Sequence, residues 1–157
     1  MPEFIQVNTA DEYAAAASLF REYAQWIGID LGFQDFEHEL KELNSMYAYP
    51  LGGIVLCKVD DVFIGSVAIR IQEAGIAELK RMFVRPGFQN LGLGRALMEK
   101  AIELAKELGY EKIRLDTLDT MLPAIHLYKT YGFNEIPAYY HNPISNAVYF
   151  ELKISGE

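Results

Sequence analysis

Cysteine is nearly absent: Cys57 is the one thiol in 157 residues. A lone thiol excludes an intrachain disulfide and any C-x-x-C zinc site, and a reducing cytoplasm is the simplest setting. Long apolar runs are missing as well. No stretch approaches the roughly 18 to 20 apolar residues that span a bilayer, so no membrane association is expected. The opening Met1-Pro2-Glu3-Phe4 lacks the basic start and apolar run of a secretory signal. Basic charge is scarce, with 14 Lys and Arg against 22 Asp and Glu and a net charge of -8. A field of that sign repels phosphate backbones, which excludes non-specific nucleic-acid binding as an expectation. It would attract cations such as amines, but its first reading is plain solubility. His38 and His126 have no metal-ligand neighbours and no H-E-x-x-H is present, so no metal is expected.

What is present is a chain of ordinary single-domain length, residues 1–157, with 51% apolar residues to build a core. Residues 4–8 alternate weakly and predict a first strand. Thr9 with Glu12 three residues later has the form of a capping box. The helix after it would bury Tyr13, Ala17, Phe20, Ala24 and Ile27, with Gly28 and Gly32 interrupting it. A second helix would carry Phe36, Leu40, Leu43 and Tyr47 on one face until Pro50. Residues 54–59 and 62–71 are β-rich and separated by Asp60-Asp61, a hairpin pattern. A third β-run covers 76–84. A helix over 93–108 follows, with Gly109 as its cap. A short strand at 113–115, a short helix at 123–131 and a final strand at 148–154 complete the order. This order predicts an α+β fold with a mixed, mostly antiparallel sheet covered by helices.

The stretch that carries chemistry is residues 77–133. Gln89-Asn90-Leu91-Gly92-Leu93-Gly94 lies between a strand and a long helix. Glycines there let a ligand approach the backbone, and the free amides of the helix start favour an anion such as pyrophosphate. The P-loop pattern is absent. The dinucleotide fingerprint G-x-G-x-x-G is half present, since Leu97 occupies its third place, although Asp116 sits near the offset of a ribose-binding acid. A dinucleotide-dependent oxidoreductase therefore stays open as an alternative.

The third pattern is Q-x-x-G-x-G. Together with Met82-Phe83-Val84-Arg85-Pro86 before it, this segment resembles the acetyl-CoA pyrophosphate loop of the GNAT N-acetyltransferase superfamily. Ala124-Ile125-His126-Leu127-Tyr128-Lys129-Thr130-Tyr131-Gly132-Phe133 resembles that superfamily's A-x-x-L-Y-x-x-x-G-F segment. The departure is Met121, where many relatives carry an Asn that helps hold the cofactor. The resemblance implies a GNAT-like fold and transfer of an acetyl group from acetyl-CoA to an unidentified amine. The pantetheine arm would lie beside Met82, Phe83 and Val84, and the pyrophosphate on the loop of Gln89, Asn90, Leu91, Gly92, Leu93, Gly94 and Arg95. Tyr128 would protonate the leaving thiolate; by spacing alone it reads as a core aromatic. Glu78 would be the base, and equally reads as part of a solvated, Lys80- or Arg81-paired strand face. Tyr139, Tyr140 and Trp26 are candidates for the acceptor wall, or packing residues. Cys57 reads as inert core. A non-catalytic CoA-sensing module and a homodimer are left open.

Overall fold

A computed structural model describes residues 1–28 and 35–154. Gly32 lies outside the described residues. The first strand, β1 (Glu3–Gln6), leads into α1 (Ala10–Ile27). The helix starts at the capping box: the Glu12 amide donates to Thr9 Oγ1 at 3.2 Å and the Thr9 amide donates to Glu12 Oε1 at 3.1 Å. Ala16, Leu19 and Phe20 form its buried stripe, with Tyr13, Ala17, Ala24 and Ile27 half-buried beside it. The single second helix of the sequence reading is two short ones, α2 (Phe36–Lys41) and α3 (Leu43–Met46), broken at Glu42. With that break Phe36, Leu43 and Tyr47 are buried, and so is Glu39.

β2 (Gly53–Val59) and β3 (Val62–Glu73) form the expected hairpin. Asp60 and Asp61 both take positive φ, 50° and 64°, the two-residue turn whose twist matches a hairpin. After Gly75 come β4 (Ile76–Val84), α4 (Leu93–Glu107), β5 (Lys112–Leu118), α5 (Leu122–Thr130), β6 (Asn134–Ile136) and β7 (Ala147–Lys153). Two corrections apply. β5 extends three residues past Leu115, because it pairs with β7 along its whole length. β6 was not expected; it is three residues on the outer edge of β7.

The sheet has seven strands in the order β1-β2-β3-β4-β5-β7-β6. Every pair is antiparallel except β4 with β5. One face packs Val55, Ile69, Leu79, Ile113, Leu115 and Phe150 against Leu97, Met98, Ala101 and Leu104 of α4 and Tyr128 of α5. The other packs Ile54, Leu56, Ala68 and Phe83 against Leu19 and Phe20 of α1, with Phe36, Leu43 and Tyr47. On that second face the β5–β7 half is covered by an aromatic cluster, Tyr139, Tyr140 and Tyr149, with ring centroids 5.3–5.8 Å apart.

Two irregularities of β4 position the site. Its pairing with β5 covers only Ile76, Ala77 and Glu78, so residues 79–84 are laddered to β3 alone and the two strands diverge. In the same segment Ser66 stands opposite Phe83 and Ala68 opposite Lys80. Val67 therefore spans two residues of β4, a β-bulge. Arg81 absorbs it with a φ of 58°, and Ser66 Oγ donates to the Arg81 carbonyl at 2.9 Å. The bulge shifts the alternation, so Leu79, Met82 and Val84 join the α4 face while Phe83 joins the α1 face.

Candidate active site

The V between β4 and β5 opens into a cleft of about 180 Å³. Its floor is the unpaired β4 edge with Leu79, Met82, Phe83 and Val84, faced by Leu115, Asp116 and Thr117 of β5. Tyr23, Trp26 and Ile27 of α1 wall one side, and Met121, Ala124 and Tyr128 of α5 another. The lining is mostly apolar; among the described residues its charged side chains are Lys80, Arg81 and Asp116.

Tyr128 is held between Phe133 and Phe150, at ring-centroid distances of 5.8 and 6.1 Å. Its hydroxyl makes no hydrogen bond to another described residue and lines the cleft. Burial, reinforced by Tyr23 and Asp116, pushes its phenol well above the usual value, so it is protonated across the neutral range.

The Gln89 loop follows β4 directly. Gln89 Nε2 donates to the Val84 carbonyl at 3.0 Å, tying the loop to the strand end. Asn90 and Gly92 both take left-handed φ, 67° and 80°. Gly92 is the N-cap of α4 and offers no side-chain acceptor. The first helical bond runs from the Ala96 amide to the Gly92 carbonyl at 3.1 Å, so the amides of Leu93, Gly94 and Arg95 have no intrahelical acceptor. A Cβ on Gly92 would meet nothing within 4 Å, so the backbone at the helix start is open on that side. Leu91 is exposed, and the Arg95 guanidinium stacks on Tyr131 at 5.6 Å.

Glu78 is buried, but not in the cleft. It lines an adjoining recess of about 280 Å³ with Arg70, Gln72, Tyr139, Tyr140 and His141. Tyr139 Oη donates to Glu78 Oε2 at 2.8 Å, and Lys80 Nζ lies 4.0 Å from Oε1. Lys80 lines both spaces. Burial lowers its pKa, against the raising effect of Glu78. Burial and the Glu78 charge together raise the Tyr139 phenol. Tyr140 Oη donates to Asp116 Oδ2 at 2.8 Å and accepts from Asn142 Nδ2 at 3.1 Å. Of the three acceptor candidates, Trp26 lines the cleft and the two tyrosines line the recess. Cys57 is buried in the core and touches neither space, its pKa raised by burial.

Sequence reasoning missed the support of the bulge. Glu39 receives Arg81 Nε at 3.0 Å and Nη2 at 2.7 Å, and Tyr47 Oη at 2.9 Å. Burial raises the Glu39 carboxyl, and the Arg81 bonds and charge more than reverse this, leaving it below the usual range. It also missed Asp116 as a cleft residue. The signal was there: Ile113 and Leu115 face the α4 core, so Arg114 and Asp116 must face the other side. Among the described residues no group of three or more His, Cys, Asp and Glu could hold a metal, and no helix is long and apolar enough to cross a membrane.

The fold and the cleft have known counterparts. An uncharacterised N-acetyltransferase of Schizosaccharomyces pombe is 44% identical over 141 residues, covering 87% of this chain and 85% of that protein. A GNAT-family acetyltransferase crystal structure from Staphylococcus aureus superposes with a TM-score of 0.82 at 21% identity, covering 99% of this chain and all of that one. The PaiA N-acetyltransferase of Thermoplasma acidophilum, solved in complex with coenzyme A, gives a TM-score of 0.74 at 19% identity over 98% of this chain and 99% of that one. At those identities the two structures speak to the fold. Residues 13–133 match the family model described as Acetyltransferase (GNAT) family, so the chain belongs to the GNAT acetyltransferases and is an acyltransferase.

Proposed function

We propose that the chain is an acetyl-CoA-dependent N-acetyltransferase that moves an acetyl group to a primary amine by direct attack on the thioester. The observation that carries this is the edge of β4 at residues 79–84, which among the described residues has no strand partner on its β5 side. An extended pantetheine arm can pair there as an added strand, with Met82, Phe83 and Val84 as its bed. The pyrophosphate then lies on the amides from Leu91 to Arg95, where the dipole of α4 favours negative charge. The Thermoplasma neighbour, solved in complex with coenzyme A on the same fold, supports coenzyme A as the ligand.

In the reaction the amine nitrogen attacks the thioester carbonyl, a C–N bond forms and the C–S bond breaks. A backbone amide near Phe83 or Val84 stabilises the oxyanion. The thiolate takes its proton from the Tyr128 hydroxyl. A phenol ordinarily near 10 gives its proton to a thiolate near 8.5 only where the thiolate is desolvated as well, which the apolar cleft provides. The amine arrives protonated, and its proton leaves toward Glu78 through the recess that Lys80 and Tyr139 share with it.

The test is thiol release from acetyl-CoA across a panel of primary amines. Release that requires both acetyl-CoA and an amine is the expected result. Saturable acetyl-CoA binding with no amine-dependent release would remove the transferase step from this reading.

A further inference from the structure

Among the described residues Asp116 is the one carboxylate that lines the cleft, and the proposed mechanism leaves it without a task. It projects from β5 on the face shared with α1 and the Tyr139–Tyr140 loop, half-buried. Tyr140 Oη fixes its Oδ2 at 2.8 Å and is itself fixed by Asn142. The ion pairs of this region include Lys80 with Glu78 and Arg81 with Glu39, and Lys80 also feels the Asp116 charge. An oriented carboxylate in an apolar cleft is a strong acceptor for an ammonium.

Beside it stands an aromatic wall. The Phe83 ring lies 6.2 Å from Tyr23 and 5.7 Å from Trp26. Trp26 is 44% exposed, so a ligand body laid on it gains apolar burial. The other charged groups of the cleft among the described residues are Lys80 and Arg81, which already hold Glu78 and Glu39. Among the described residues the cleft therefore offers a second ammonium no further carboxylate.

We infer that Asp116 with the Tyr23–Trp26–Phe83 wall forms the acceptor subsite, and that the acceptor is a singly charged amine on an apolar or aromatic body rather than a polyamine. The inference rests on the N-acetyltransferase reading for the acceptor's role, but its test does not need turnover. Trp26 is the only tryptophan of the chain, so its fluorescence reports this wall alone.

The experiment titrates the protein in the presence of CoA with 2-phenylethylamine, with 2-phenylethanol as the neutral isostere and spermidine as the polyamine. A saturable Trp26 change with 2-phenylethylamine, and much weaker responses to the other two, is expected. Asp116→Asn keeps an acceptor for Tyr140 and should weaken 2-phenylethylamine roughly 10- to 100-fold, the worth of a charged hydrogen bond. Its binding of 2-phenylethanol and of acetyl-CoA should be unaltered, the latter also showing that the variant is folded. Undiminished 2-phenylethylamine binding by Asp116→Asn, or tighter binding of spermidine, overturns the subsite. Amine binding without thiol release would retire the transferase reading and keep the subsite. Amine turnover indifferent to Asp116→Asn would do the reverse.

Discussion

Tyr128 and the Glu39–Arg81 pair show how differently a buried polar side chain can serve. Tyr128 packs its ring against Phe133 and Phe150 and has a hydroxyl open to the cleft. Tyr128→Phe keeps the packing and removes the proton, so turnover should fall about 10- to 100-fold, the lower part of the range for a general acid because a thiolate leaves readily. Acetyl-CoA affinity should stay unchanged; steady-state kinetics beside calorimetry separates the two. Arg81, by contrast, is tied up by two bonds to Glu39 in a site where both are almost fully buried. Arg81→Met leaves that carboxylate uncompensated and should destabilise the fold by about 3–5 kcal/mol in denaturant unfolding. The pH dependence follows from the same pair. The folded pKa of Glu39 lies below its unfolded value, near 4.3, so its contribution is complete above that value. The contribution is lost as pH falls through the lower folded pKa. Thermal unfolding of the wild type should therefore weaken on the acid side of about pH 4, with a slope that a Glu39→Gln/Arg81→Met double variant lacks. None of this was legible in the sequence, since 42 residues separate Glu39 from Arg81 and no local pattern joins them. Tyr128 was legible only through its motif, because on spacing alone a tyrosine on an amphipathic helix is core.

At the scale of elements, the cleft depends on β4 leaving β5 and on the bulge that re-aims its side chains. Ser66 is fully buried and its hydroxyl satisfies the Arg81 carbonyl. Ser66→Ala should cost about 1–3 kcal/mol, the desolvation penalty of an unpaired carbonyl. It should also loosen acetyl-CoA binding, because the bulge sets Met82 and Phe83; equal affinity in the variant would uncouple the bulge from the cofactor bed. The start of α4 gives a second expectation. Gly92 takes φ 80° with open space above it. Gly92→Val adds strain and fills the room that the pyrophosphate needs, so the protein should remain folded with acetyl-CoA binding lost by calorimetry. The Gln89–Gly94 segment was readable because glycine and glutamine mark it at fixed offsets. The bulge was not, since it rests on a positive φ at arginine, a residue type with no preference for that region. β6 escaped for another reason: three residues between Phe133 and Pro137 are too few to show a period. The helix from Phe36 to Tyr47 kept its apolar spacing and still broke at Glu42, because spacing records which side chains are buried and not whether the backbone between them is continuous.

For the whole molecule, the order of elements was open to reading from hydrophobic period and turn residues, and so was a mixed sheet covered by helices. The strand order was not. The return of the chain to place β7 between β5 and β6 has no local signature. Yet it is what carries the Tyr139–Tyr140 loop back over Glu78 and Asp116. Glu78 thus changes from a strand carboxylate into a residue of the recess beside the cleft, and Asp116 from a ribose-acid candidate into a carboxylate of the cleft. One parallel pair in an otherwise antiparallel sheet also separates this loop from a dinucleotide site, which is built on consecutive parallel strands. The central claim is that the divergent β4 edge and the start of α4 together hold acetyl-CoA. The most direct measurement is a calorimetric titration with acetyl-CoA, with NAD as the parallel ligand. Saturable binding of acetyl-CoA alone is the expected result, and NAD binding or no binding of acetyl-CoA would contradict the claim.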